Sequence, residues 1–134
     1  MTYTKPAPAI DPDSKPYWDG AKEGRLMIQR CKATGQTFLY SRQLTPGVVE
    51  SEVEWIEASG RGTIYSYTVA RRPAGQAFAD DVPYVVVSVT LEEGARVMSN
   101  LVTDNPGSVA IGQAVEAVFD AVSDDLTIPK FRQV

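Results

Sequence analysis

W-I-E-A-S-G-R-G-T-I-Y-S-Y-T-V-A-R-R, residues 55–72, is the stretch on which the fold turns. Gly60 and Gly62 flank Arg61 and permit a sharp change of direction. The run that follows is β-branched and aromatic. Its period of two predicts a strand with Tyr65, Tyr67 and Val69 on one face and Ile64, Ser66 and Thr68 on the other. Arg71 and Arg72 close it. The stretch joins a polar, turn-rich first part to a strand-rich second part.

Downstream, Tyr84–Leu91 reads as a strand with Val85, Val87, Val89 and Leu91 facing a core. Glu92-Glu93-Gly94 turns it into a return strand over Ala95–Val102. Gln113–Val122 is a further strand with Val115, Ala117 and Phe119 inward, and Ile128–Val134 is a short closing segment. Counted from Thr63, the pattern gives five short strands and no long helix. Closure removes exposed strand edges, so the expectation is a five-stranded OB barrel. The loop Pro73–Pro83 holds Gly75, Phe78 and Asp80-Asp81, and at about eleven residues it is long enough to carry function. Residues 103–112 have room for a single helical turn.

Upstream, residues 1–12 are rich in Pro, Ala and Thr and read as an extended arm. Asp13 and Ser14 suit a helix N-cap, Pro16 suits the first turn, and Gly24 suits the stop. The helix to about Glu23 places Tyr17, Trp18 and Ala21 on one side, either as packing or as part of a binding surface. Arg25–Cys31 and Thr37–Ser41 form a small hairpin around Lys32-Ala33-Thr34-Gly35. Residues 42–53 read as turns centred on Pro46-Gly47, which gives two knuckles at 31–35 and 45–48. The expected division is 1–24 for arm and helix, 25–54 for the hairpin lobe and 55–134 for the barrel.

Composition narrows the chemistry. The chain has 134 residues, 13 Lys and Arg against 17 Asp and Glu, one Cys and no His. An acidic balance weighs against general nucleic-acid binding. No apolar run approaches a membrane span, and the N-terminus lacks a signal-peptide core, so a cytoplasmic address is expected. Without imidazole, neither a Ser-His nor a Cys-His pair can be built within the chain, and histidine metal ligation is excluded.

The motifs form a set. Tyr17-Trp18-Asp19-Gly20, Glu23-Gly24-Arg25-Leu26 and Gln29-Arg30-Cys31 resemble the opening of the rubredoxin-like zinc-ribbon plus OB-fold family, domain of unknown function 35. So do Val53-Glu54-Trp55, the run 58–69, Pro83-Tyr84-Val85-Val86, Ser99-Asn100-Leu101-Val102 and Pro129-Lys130-Phe131-Arg132. The family's ribbon holds zinc through two C-x-x-C knuckles. Here the matching positions are Cys31, Thr34, Thr45 and Val48, and a single thiolate cannot close a tetrahedral zinc site. The resemblance therefore implies a metal-free, ribbon-like lobe, expected to be held by Leu26, Ile28, Phe38, Tyr40 and Leu44. Cys31 is then either a buried remnant thiol or, given a lowered pKa, a nucleophile.

The resemblance also implies an accessory role with no catalytic residue. Its members act beside thiolase-like enzymes of the sterol-carrier-protein type and beside hot-dog-fold enoyl-CoA hydratases, where the partner supplies the catalytic groups. The expected function is a non-catalytic subunit of an acyl-CoA-processing hetero-oligomer, without zinc or other cofactor and with acyl-CoA as a ligand. Candidate acyl-CoA or partner contacts are Tyr65, Tyr67, Arg71, Arg72, Phe78, Asn100, Arg132, Tyr17 and Trp18. The arginines suit CoA phosphates, and the aromatics suit adenine or a protein face. The alternatives are a single-stranded nucleic-acid module on aromatic platforms and an independent acyl-group enzyme.

Overall fold

The computed structural model describes residues 3–45, 47, 48 and 52–134. A helix, α1 (Lys15–Lys22), precedes a three-stranded antiparallel sheet of β1 (Met27–Cys31), β2 (Thr37–Phe38) and β3 (Val53–Glu57), in the order β2-β1-β3. The rest is a closed barrel of β4 (Arg61–Ala70), β5 (Tyr84–Leu91), β6 (Arg96–Leu101), β7 (Ala114–Ala121) and β8 (Thr127–Gln133). Its order is β4-β5-β6-β8-β7. A five-stranded closed barrel with one short N-terminal helix matches the expected fold class. The two loops carry 3-10 turns at Gln76–Phe78 and Pro106–Ser108.

The strong alternation in Tyr84–Leu91 survives intact, with Val85, Val87, Val89 and Leu91 all buried. They meet Ile64, Val97, Leu101, Val115 and Phe131 in one cluster that also takes in Leu26, Ile28 and Ala58. The core is therefore continuous across the small sheet and the barrel. α1 bridges the same junction, packing on β1, β7 and β8. It ends where Gly24, at φ +73°, lets the Arg25 N–H return to Gly20 O at 2.8 Å and the Gly24 N–H to Ala21 O at 3.0 Å. Ser14 takes the N-cap position, but its side chain does not cap the helix. Instead, its N–H donates to Asp11 Oδ1 at 2.8 Å, and its Oγ accepts from the Asp11 N–H at 3.3 Å.

Three sequence expectations need correction. The first is the face assignment in β4. A β-bulge between Ile64 and Ser66 inserts Tyr65 as an extra residue, so Ile64 pairs with Val89 while Tyr67 and Val69 pair with Val87 and Val85. Opposed residues share a face, so Ile64, Tyr67 and Val69 belong to the core-side set, and Tyr65 stands apart from Tyr67. The second is the segment 42–53, which does not remain irregular to its end. Its last residue opens β3, pairing Val53 with Cys31 and Trp55 with Gln29. The third concerns packing of the small lobe, because Tyr40 and Leu44 are 64% and 65% exposed. Gln29 replaces them as the pin. Its buried amide donates to Arg42 O at 2.9 Å and accepts from the Arg42 N–H at 2.7 Å, so the loop is fixed without burying Tyr40 or Leu44. Pro46 of the second knuckle lies outside the described residues.

Candidate binding surface

β6 and β8 run parallel and meet in one ladder pair, Leu101 with Phe131. Beside this junction lies a cavity of about 460 Å³, walled by β5–β8, by the 71–83 loop and by the N-terminal arm. Lys5 crosses from the arm to Asp81 of the loop at 3.0 Å and sits 5.6 Å from the Phe78 ring centroid. The Asp81 carboxylate raises the Lys5 pKa above its ordinary value. Phe78 and Tyr84 are 6.2 Å apart, and Lys130 pairs with Asp120 at 2.6 Å. The Asn100 amide donates to Val85 O at 3.2 Å. The site thus combines apolar walls, an aromatic pair and two ammonium groups, each already neutralised by a carboxylate. Such a set can hold and orient a ligand. It contains no nucleophile with an adjacent base.

Two of the sequence-derived site residues, Phe78 and Asn100, line this cavity. The others are spread around the molecule. Tyr65 is 52% exposed, and its ring lies under the Arg96 guanidinium. Tyr67 is 36% exposed farther along β4. Arg71 and Arg72 are exposed just past the strand, without a carboxylate partner among the described residues. Arg132 is engaged with Glu116, its Nε donating at 2.6 Å. Tyr17 packs against the core cluster, and Trp18 meets it edge-on at 4.9 Å. Burial pushes the Tyr17 phenol up to about 12. Sequence reasoning missed Lys5, Asp81, Asp120, Lys130 and Arg96. Outward positions on paired strands could have pointed to Asp120 and Lys130. Nothing local marks Lys5.

At the ribbon positions, Cys31 is fully buried. Hydrogen bonds from the Thr34 and Thr45 hydroxyls lower its pKa to about 7, against the opposing effect of desolvation. One sulfur and two hydroxyls do not fit a structural zinc ion. Among the described residues, no group of three or more His, Cys, Asp or Glu converges.

The fold corresponds to known proteins. A family model for the ChsH2 C-terminal OB-fold domain matches residues 55–120, and one for the ChsH2 rubredoxin-like zinc ribbon domain matches residues 18–42. A DUF35 domain-containing scaffold protein of Methanocaldococcus jannaschii is 38% identical over 81% of this chain and 77% of its own. The chain belongs to the DUF35 family. A "Probable enoyl-CoA hydratase alpha subunit" of Thermomonospora curvata is 38% identical over 96% of this DUF35 chain, which spans only 40% of that longer relative. Among solved structures, a chain of the Ltp2-ChsH2(DUF35) aldolase superposes with a TM-score of 0.82 at 37% identity. The match covers 95% of this chain and 98% of that one.

Proposed function

We propose that this DUF35 chain is a non-catalytic accessory subunit of an acyl-CoA-processing complex. It docks on a thiolase-like enzyme of the sterol-carrier-protein type or on a hot-dog-fold enoyl-CoA hydratase, stabilises that partner and lines part of the passage for the acyl-CoA. The observation that carries this reading is the end-to-end match to the DUF35 chain of an aldolase assembly. The absence of histidine and the lack of a nucleophile–base pair in the cavity support a partner-supplied catalytic site. Phe78 and Asn100 in the cavity are the groups we assign to the acyl-CoA. Tyr65 and Tyr67 on β4, Arg71 and Arg72 at its end, Arg132, and Tyr17 with Trp18 on α1 are assigned to acyl-CoA or partner contact. The chain works in the cytoplasm as part of a hetero-oligomer, and its ribbon lobe functions without zinc.

Affinity purification from the native host, with mass spectrometry and metal analysis of the product, tests all of this. A thiolase-like or hydratase protein in constant stoichiometry, with no zinc, is the expected result. A monomer alone overturns the accessory role, and stoichiometric zinc overturns the metal-free lobe. Single-stranded nucleic-acid binding has less support, because cations around the barrel pair with carboxylates at Arg61–Glu92, Lys130–Asp120 and Arg132–Glu116.

A further inference from the structure

β4 has ten residues, and β7 covers only the first part of it. The ladder between them runs from Arg61 with Glu116 to Thr63 with Ala114. It is flanked by the Ala117 N–H to Gly60 O at 2.7 Å and the Ile64 N–H to Gln113 O at 3.0 Å. Backbone groups alternate in direction along an antiparallel strand. Gly60, Gly62 and Ile64 therefore point to β7, while Arg61 points to β5, where its carbonyl accepts from the Glu92 N–H at 3.0 Å. The extra residue Tyr65 resets this alternation. Beyond it Ser66, Thr68 and Ala70 turn to β5, opposite Ser88, Val86 and Tyr84. The N–H and C=O groups of Tyr67 and Val69 face away from the barrel. The register leaves them out of the ladder to β5, the β7 ladder ends at Thr63, and no turn or loop bond among the described residues uses them.

An open edge of this kind is normally blunted by a charge, a proline or shortness. The outer edge of β3 carries Glu54 and Glu57, and β2 is two residues long. From Ile64 to Ala70, β4 has no charged residue and no proline. Immediately after it come Arg71 and Arg72, exposed and unpaired among the described residues. The chain is acidic overall and pairs most of its other cations, so two adjacent free arginines at the end of an undefended edge call for an anionic counterpart.

We propose that the Tyr67–Val69 edge of β4 receives an extended segment of the partner protein as an added strand, with an acidic side chain of that segment on Arg71 or Arg72. Main-chain hydrogen bonds supply the register and the charge pair supplies the polarity. The inference rests on the accessory-subunit reading and specifies how the partner is held.

The test uses the full chain, tagged and purified from the native host with the partner it captures. Val69→Pro removes an N–H that the free chain leaves unbonded, at the cost of some of the Val69 side chain's core contact, and proline is tolerated at an outward edge position. We expect Val69→Pro, and separately Arg71→Glu with Arg72→Glu, to reduce captured partner at least tenfold while circular dichroism stays native. Hydrogen exchange on the wild-type complex gives a readout that depends on no variant. The Tyr67 and Val69 amides should slow at least tenfold relative to the free chain. Undiminished capture by folded Val69→Pro, or unchanged exchange at these amides in a partner-bound sample, overturns the added strand and leaves the accessory role standing. Capture of nothing by the wild type overturns both. A concentration-dependent homodimer that protects the same amides assigns the edge to a second copy and overturns the proposal.

Discussion

Arg96 lays its guanidinium over the ring of Tyr65, with Cζ 3.6 Å from the ring centroid. The contact depends on the bulge, which lifts Tyr65 out of the strand's alternation on the solvent side. Arg96 reaches it from β6 across Thr90, whose Oγ1 accepts from its Nε at 3.4 Å. Exposed cation–π pairs contribute about 0.5–1 kcal/mol. Tyr65→Leu and Arg96→Ala should each lower the urea-unfolding free energy by about that amount. A double-mutant cycle should return most of it as coupling, and purely additive losses would show that the stack contributes nothing.

Gly62 has the least tolerance in the chain's organising stretch. A Cβ there would lie 2.5 Å from Thr90 O and 2.7 Å from Val89 Cγ1, and the first of these is backbone. Gly62→Ala must therefore push β4 away from β5 at the seam that also closes onto β7. A loss of about 3 kcal/mol is expected, at the upper end for overpacking. Gly75→Ala, where an added Cβ meets nothing within 4 Å, is the control that should stay near wild type in thermal melts.

The barrel was legible because its signals are local. Val85, Val87, Val89 and Leu91 alternate over a whole strand, and Gly94 and Gly112 mark the turns. The bulge at Tyr65 was not, because it depends on how Ile64 and Ser66 register against Val89 and Ser88 on another strand. β3 was hidden for a similar reason. Val53–Glu57 is short, and it becomes a strand by pairing with β1. At the cavity, Phe78 and Asn100 stood out as residue types, but Lys5 reaches Asp81 across 76 positions of sequence, and no periodicity reports such a contact.

Cys31 couples the small lobe to pH. Its thiol has an ordinary value of 9.0 and is held down to about 7 by the Thr34 and Thr45 hydroxyls. Between these values the folded chain is deprotonated and the unfolded chain is not. Stability should rise with pH from about 7 to 9, and the gain should be lost as pH falls through 7. Denaturation curves across that window should show the slope in the wild type and a flatter line in Cys31→Ala. Because the sulfur is buried, iodoacetamide should label the native protein only at its opening rate.

Tyr17 acts at the other end of the scale. Burial favours its neutral phenol and moves it from 10.0 up to about 12, equivalent to about 3 kcal/mol. That contribution is present below pH 10 and disappears as pH rises from 10 to 12. Tyr17→Phe should remove this part of the alkaline decline, read as the difference between the two proteins' stability curves.

The ribbon positions predict a gain of function. Thr34→Cys, Thr45→Cys and Val48→Cys together with Cys31 create two C-x-x-C knuckles. Cys31 already accepts hydrogen bonds from Thr34 and Thr45, which places those side chains at the required centre. The triple variant should bind one zinc per chain and melt at a higher temperature with zinc than with a chelator. Failure to take up zinc would mean that the loop does not have the knuckle geometry.

The strand order β4-β5-β6-β8-β7 also bears on how the barrel closes. β8 is the last barrel strand to leave the ribosome, yet it belongs between β6 and β7. Until it arrives, the nascent chain holds four strands with a missing stave, and Phe131 is absent from the core it will fill. Once inserted, β8 is secured by seven antiparallel pairs on the β7 side, against one ladder pair, Leu101–Phe131, the Val102 N–H to Phe131 O and the Ser99 hydroxyl to Pro129 O on the other. Closure of the barrel therefore waits for β8, and native-state breathing should begin by reopening the same seam.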